Sequence, residues 1–134
     1  DGWKAVFADQ ALPRDRITGF SIRIESSVNN RVLVGICSSI CKNCAEVYKQ
    51  EGVICYSMNE DAIYENGALK CLEKSGAKTG STIRVIVDFQ ISKVIFVVDG
   101  KLLHHCCDLD SRYDSYDYYP FVELCCKGDK VTFI

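Results

Sequence analysis

STIRVIVDFQISKVIFVVDGKLLH, residues 81–104, reads as two strands and the start of a third. Ile83, Val85, Val87 and Phe89 fall on one face of an extended chain, and Arg84 and Asp88 on the other. That period-2 pattern belongs to a strand with one face in a core. Val94, Ile95, Phe96, Val97 and Val98 form an unbroken apolar run, as in a strand buried on both faces. Gln90, Ile91, Ser92 and Lys93 join the two as a hairpin loop. Asp99 and Gly100 make a two-residue turn whose central positions want positive φ, and Lys101, Leu102 and Leu103 begin the return. So apolar a meander needs a second sheet to cover it.

The rest of the chain supplies strands of the same kind. Trp3 to Phe7 starts one. Phe20, Ile22 and Ile24 alternate with Ser21, Arg23 and Glu25 in the next. Val32 to Cys37 is a buried strand in which Gly35 marks a bulge or a close backbone approach. Residues 38–51 form the longest stretch without a strand pattern, with room for one helical turn at 45–50. Val53 to Tyr56 returns to strand, and 62–64 and 68–71 form a hairpin around Asn66 and Gly67. Residues 108–118 are polar, acidic and tyrosine-rich. Tyr119 to Leu124 and Val131 to Ile134 close the chain as strands. About ten or eleven short strands at intervals of about 8–12 residues predict an all-β, two-sheet antiparallel sandwich.

Length and composition fit one soluble domain, 1–134, which opens on Asp1 and is read as cut from a longer protein. The 16 basic and 18 acidic residues leave a formal charge of −2, so nucleic acid is not an expected partner. No apolar run approaches the ~20 residues of a membrane-spanning helix. Nine cysteines, an odd count with adjacent pairs at Cys106-Cys107 and Cys125-Cys126, are read as mostly small buried hydrophobes in a reducing, cytoplasmic compartment. On a strand, each adjacent pair turns one thiol inward and one outward.

Several of these segments together resemble the SPRY domain family. Gly19 to Ile24 resembles its strand following an aromatic, with Phe20 where Trp is usual. Val32-Leu33-Val34-Gly35-Ile36 resembles its V-x-V-G-I/V strand. Ile63-Tyr64-Glu65-Asn66-Gly67 is similar to its middle hairpin, Ile83 to Asp88 to its I-x-V-x-V/L-D strand, and Ile95 to Gly100 to its F-x-x-N/D-G turn. Tyr119-Pro120-Phe121-Val122 matches Y-P-x-V, and Val131-Thr132-Phe133 resembles the final strand. The resemblance implies a sandwich without a cofactor that holds a peptide with loops at one end. It implies contact roles for Tyr48, 13 residues after Gly35, for Cys126, Lys127 and Gly128, and for Asp9, Gln10 and Arg14. Each has a plain alternative: a tyrosine packed on the sandwich edge, an ordinary hairpin turn, and a solvated connection.

Other chemistries find weaker patterns. Cys41-x-x-Cys44 has zinc-ligand spacing, with Cys37, His104, His105, Cys106 and Cys107 elsewhere, but no second C-x-x-C or H-x-x-x-H follows. A cysteine nucleophile would need His104 or His105 within reach. Asp108, Asp110, Asp114 and Asp117 lack the spacing of a calcium loop. The expectation is a non-enzymatic, monomeric adaptor-type module that recognises a protein or peptide through loops 8–14, 38–51 and 125–129, with no metal or cofactor. The alternatives are a structural zinc domain built on Cys41 and Cys44, and a carbohydrate-binding sandwich.

Overall fold

The computed structural model describes residues 2–134. Twelve strands alternate with loops and three short 3-10 turns. In chain order they are β1 (Lys4–Phe7), β2 (Thr18–Ser26), β3 (Val32–Ser38), β4 (Val53–Ser57), β5 (Ala62–Glu65) and β6 (Ala68–Leu72), then β7 (Thr82–Asp88), β8 (Lys93–Val98), β9 (Lys101–Leu102), β10 (Cys107–Asp108), β11 (Tyr118–Leu124) and β12 (Lys130–Phe133). β9 is the return strand expected at Lys101, and the count exceeds ten or eleven because β10 is a two-residue strand, too short to show a period.

The strands form two antiparallel sheets. Sheet A runs β1-β11-β3-β4-β5-β6. Sheet B runs β10-β8-β7-β2-β12, with β9 on the same edge of β8 as β10. Val34, Ile36, Ile54, Tyr56, Ile63 and Val122 of sheet A pack against Ile22, Ile83, Val85, Val94, Phe96 and Val98 of sheet B. Among the described residues no helix is long and apolar enough to cross a membrane.

The opening stretch folds as expected in outline. Asp88 pairs with Lys93, so the β7–β8 loop is 89–92 and Lys93 belongs to the strand. Asp99 and Gly100 sit at φ 50° and 79°. The run 94–98 is not buried on both faces. Val94, Phe96 and Val98 are buried while Ile95 and Val97 are half-covered, because among the described residues no further layer covers the outer side of sheet B there.

Sheet A is the sheet with two covered faces. All seven residues of β3 and all five of β4 are buried. Their outward residues Leu33, Cys37, Val53 and Cys55 join Phe121, Cys41 and Val47 in a second apolar cluster under residues 39–49. Gly35 lies in this layer without a bulge. A Cβ there would meet the carbonyl oxygen of Ile54, so it is a close backbone approach.

None of the nine cysteines is paired. Cys37, Cys41, Cys55 and Cys107 are buried, Cys106 is exposed and the other four are half-buried. Cys106 and Cys107 divide outward and inward as expected. Cys125 and Cys126 do not, because β11 ends at Leu124 and they lie past the pleat, both half-buried.

Candidate interaction surface

Within residues 38–51, the turn at Val47 and Tyr48 is held over the outer face of sheet A by one buried acid. Glu123, on β11, has no exposed surface. Its carboxylate accepts the backbone N–H of Val47 at 3.2 Å and of Tyr48 at 2.8 Å. Both donors belong to the 3-10 turn Val47–Lys49, entered through Glu46 at a positive φ of 50°. Short 3-10 turns leave N–H groups without partners, and the acid satisfies two of them. Burial raises the Glu123 carboxyl above its ordinary value, against the two amide bonds, which pull it down.

That anchor places Tyr48 in an aromatic row. Its ring lies 5.9 Å from Trp3 and 5.5 Å from Tyr64, both edge-on. All three are half-buried and so present part of their surface to solvent. The Arg31 guanidinium stands 5.5 Å above Trp3, and the Lys49 ammonium 5.6 Å from Tyr48 and 2.7 Å from Glu46. Tyr64 donates its hydroxyl to the Glu60 carboxylate at 2.8 Å. Rigid rings with polar tips, backed by a packed layer, suit a contact surface.

The three loops expected to meet at one end do not. In register, Phe7 faces Phe121 and Ser38 faces Tyr118, so 8–14 and the start of 38–51 leave from the Tyr118 end of β11. The turn 125–129 leaves from the other end, about 20 Å away along the strand. Tyr48 bridges part of that span, because Glu123 holds it one residue from Leu124. Its ring neighbours Trp3, at the same end as Cys126, Lys127 and Gly128. In that turn Asp129 accepts the N–H of Val28 at 2.9 Å and of Cys126 at 3.0 Å, which leaves Lys127 and Gly128 exposed.

Loop 8–14 closes the far end of the sandwich instead. Leu12 is buried in the main core, and Asp9 and Gln10 are exposed. Arg14 donates to the carbonyls of Tyr116 at 2.6 Å and Asp114 at 2.8 Å, and lies 4.8 Å over Phe89. It is a clamp on the acidic loop. Arg14→Ala is expected to cost about 1–2 kcal/mol and to speed amide exchange across 110–118. A urea midpoint equal to wild type would show that the clamp holds nothing.

The alternative chemistries gain little from this geometry. Cys41 is buried and donates its thiol to the Glu51 carbonyl at 2.9 Å, and Cys44 points its thiol at the Ile40 carbonyl. No third ligand gathers with them among the described residues. His104 is 91% exposed beside Glu73. Cys107 lies near His105, but burial, and then the Glu65 charge, pushes its thiol up, away from the thiolate a nucleophile needs.

No protein-family model matches the chain, and no curated protein matches it in sequence. Solved structures do match it. The SPRY domain of human HERC1 superposes with a TM-score of 0.80 at 17% identity, over 99% of this chain and 82% of that one. A second human SPRY domain gives 0.78 at 16%, over 99% and 85%. The chain has a SPRY-type fold. The TRIM65 PSpry domain is similar at 0.74 and 12%, over 97% of this chain and 70% of that one. Within this SPRY-type frame the sequence pointed to Tyr48 but not to Trp3, Tyr64 or Glu123. The available signal was the double-sided burial of 32–37 and 53–56, which requires a cover over sheet A's outer face.

Proposed function

We propose that this SPRY-type sandwich is a non-enzymatic recognition module that takes a short, extended peptide segment of a partner protein across the outer face of sheet A. The carrying observation is the half-exposed row Trp3–Tyr48–Tyr64, seated on an apolar layer and pinned by Glu123. Preformed aromatic faces avoid most of the ordering cost of binding. Cys126, Lys127 and Gly128 would border the row on the Leu124 side. Asp9 and Gln10 would lie on a separate rim. Proteins of similar fold are named as SPRY and PSpry domains, parts of longer chains such as HERC1 and TRIM65, which favours an adaptor role. Nine unpaired thiols favour a reducing, cytoplasmic setting.

The test is selection of binders from a displayed random-peptide library on the wild-type domain, followed by affinity measurement on Tyr48→Ala and Asp9→Ala. Tyr48→Ala is expected to weaken the selected peptides about 30-fold, the ~2 kcal/mol of an anchoring aromatic. Unfolding should shift by only about 1 kcal/mol, since the ring is half-buried. Asp9→Ala should bind as wild type does. Peptides that bind Tyr48→Ala undiminished would refute the surface, and enrichment on a glycan array instead of peptides would favour the carbohydrate reading.

A further inference from the structure

At one open side of the sandwich the two sheets bring metal-binding side chains together. Glu65 ends β5 in sheet A, while Cys107 belongs to β10 on the edge of sheet B. With His105 they form a group whose ligand atoms all lie within 4.8 Å of one another. His105 Nε2 is 3.5 Å from Glu65 Oε1. This nitrogen is enclosed, yet it has no hydrogen-bond partner. A buried polar atom left without a partner costs free energy unless something else satisfies it.

The backbone around the group is already held. The N–H of His105 donates to Glu73 at 2.6 Å, and the N–H of Asp108 to Glu65 Oε1 at 3.2 Å. A tetrahedral zinc with bonds of about 2.0–2.3 Å needs its ligand atoms about 3.3–3.6 Å apart. The His105–Glu65 separation is within that range, and the Cys107 thiol needs to close by no more than about 1.5 Å. One carboxylate, one imidazole and one thiolate also suit a borderline-soft dication. The nearest competing charge is the Lys70 ammonium, 3.9 Å from Glu65 on a half-exposed side chain that can swing out.

We propose that Glu65, His105 and Cys107 form a zinc site that clips the end of β5 in sheet A to β10 at the edge of sheet B. As the Zn–S bond forms, the Cys107 S–H bond breaks and the proton passes to water, with no change of oxidation state. Three protein ligands leave the fourth tetrahedral position to water. The 2+ charge compensates the Glu65 carboxylate and the new thiolate together. Residues 103–108 become the strap that the metal fastens.

The purified domain, stripped with chelator under reducing conditions, is titrated with Co2+ and then Zn2+. One equivalent should bind, with a near-ultraviolet thiolate-to-cobalt band and a visible band of tetrahedral intensity, and zinc should raise the thermal midpoint. His105→Ala changes a partly exposed side chain and should fold. It should weaken metal binding by more than about 100-fold, beyond what an outer hydrogen-bond partner of a ligand contributes. Cys44→Ser should retain full affinity. Absence of a stoichiometric thiolate band overturns the proposal. So does a band that survives His105→Ala, or one abolished by Cys44→Ser, which would place the ion at the other cysteine pair.

Discussion

Glu123→Ala is expected to lower the unfolding free energy by about 3 kcal/mol. The variant loses two charge-assisted hydrogen bonds, each worth about 1.5–3 kcal/mol, and orphans the amides of Val47 and Tyr48. Relief of the buried charge's desolvation returns part of that cost. The loss should be local in its consequences. Residues 39–49 would lift from the outer face of sheet A, the amides of Val47 and Tyr48 would exchange rapidly, and peptide affinity would fall with them. An unfolding free energy from urea titration within about 0.5 kcal/mol of wild type would show that the acid does not hold the loop.

The same residue carries a pH signature. Burial raises the folded carboxyl above its ordinary 4.5. Between the unfolded value and the raised folded value, the folded state binds more protons than the unfolded one. Stability therefore falls as pH rises through that window. The contribution is complete below the unfolded value and lost above the folded one. Glu123→Gln cannot titrate, so the wild-type advantage over it should shrink as pH increases from about 4.5. A flat or growing difference would mean that the two amide bonds outweigh burial.

Gly35→Ala is expected to cost about 3 kcal/mol or more, the upper part of the range for overpacking. The added Cβ would collide with the Ile54 carbonyl oxygen and lie 2.6 Å from both Cα and Cβ of Cys55. These are mostly backbone atoms of the neighbouring strand. They can yield only if β3 and β4 part in the centre of sheet A, where each is buried on both faces. Loss of cooperative thermal unfolding, or a large fall in its midpoint, is the expected measurement. Unfolding indistinguishable from wild type would show that the strands separate there at little cost.

How far the sequence was legible depended on how local each signal was. Alternation in 83–87 places every side chain of β7 on its correct face, because a pleat repeats every two residues regardless of the rest of the molecule. Asp99 and Gly100 likewise announce their own turn. Composition was less informative where a neighbour had to be known. The apolar run 94–98 looks like 32–37, yet only the latter has a layer on each side. Glu123 stood in the strand 119–124 with no signal of its own and is the anchor of the 3-10 turn in the chain's longest loop.

The positions of most strands and turns along the chain, and with them the expectation of a two-sheet sandwich, were thus written in short-range patterns that any extended segment carries within itself, whereas the order of the strands in each sheet was not. The placing of Tyr48 beside Trp3, and of Glu65 beside His105 and Cys107, was settled by folding alone. Glu123 and Tyr48 are separated by 75 residues, and Glu65 lies in a different sheet from Cys107. Pleat periodicity acts over neighbouring residues, whereas such meetings depend on which loop covers which face, a matter of packing among distant parts of the chain.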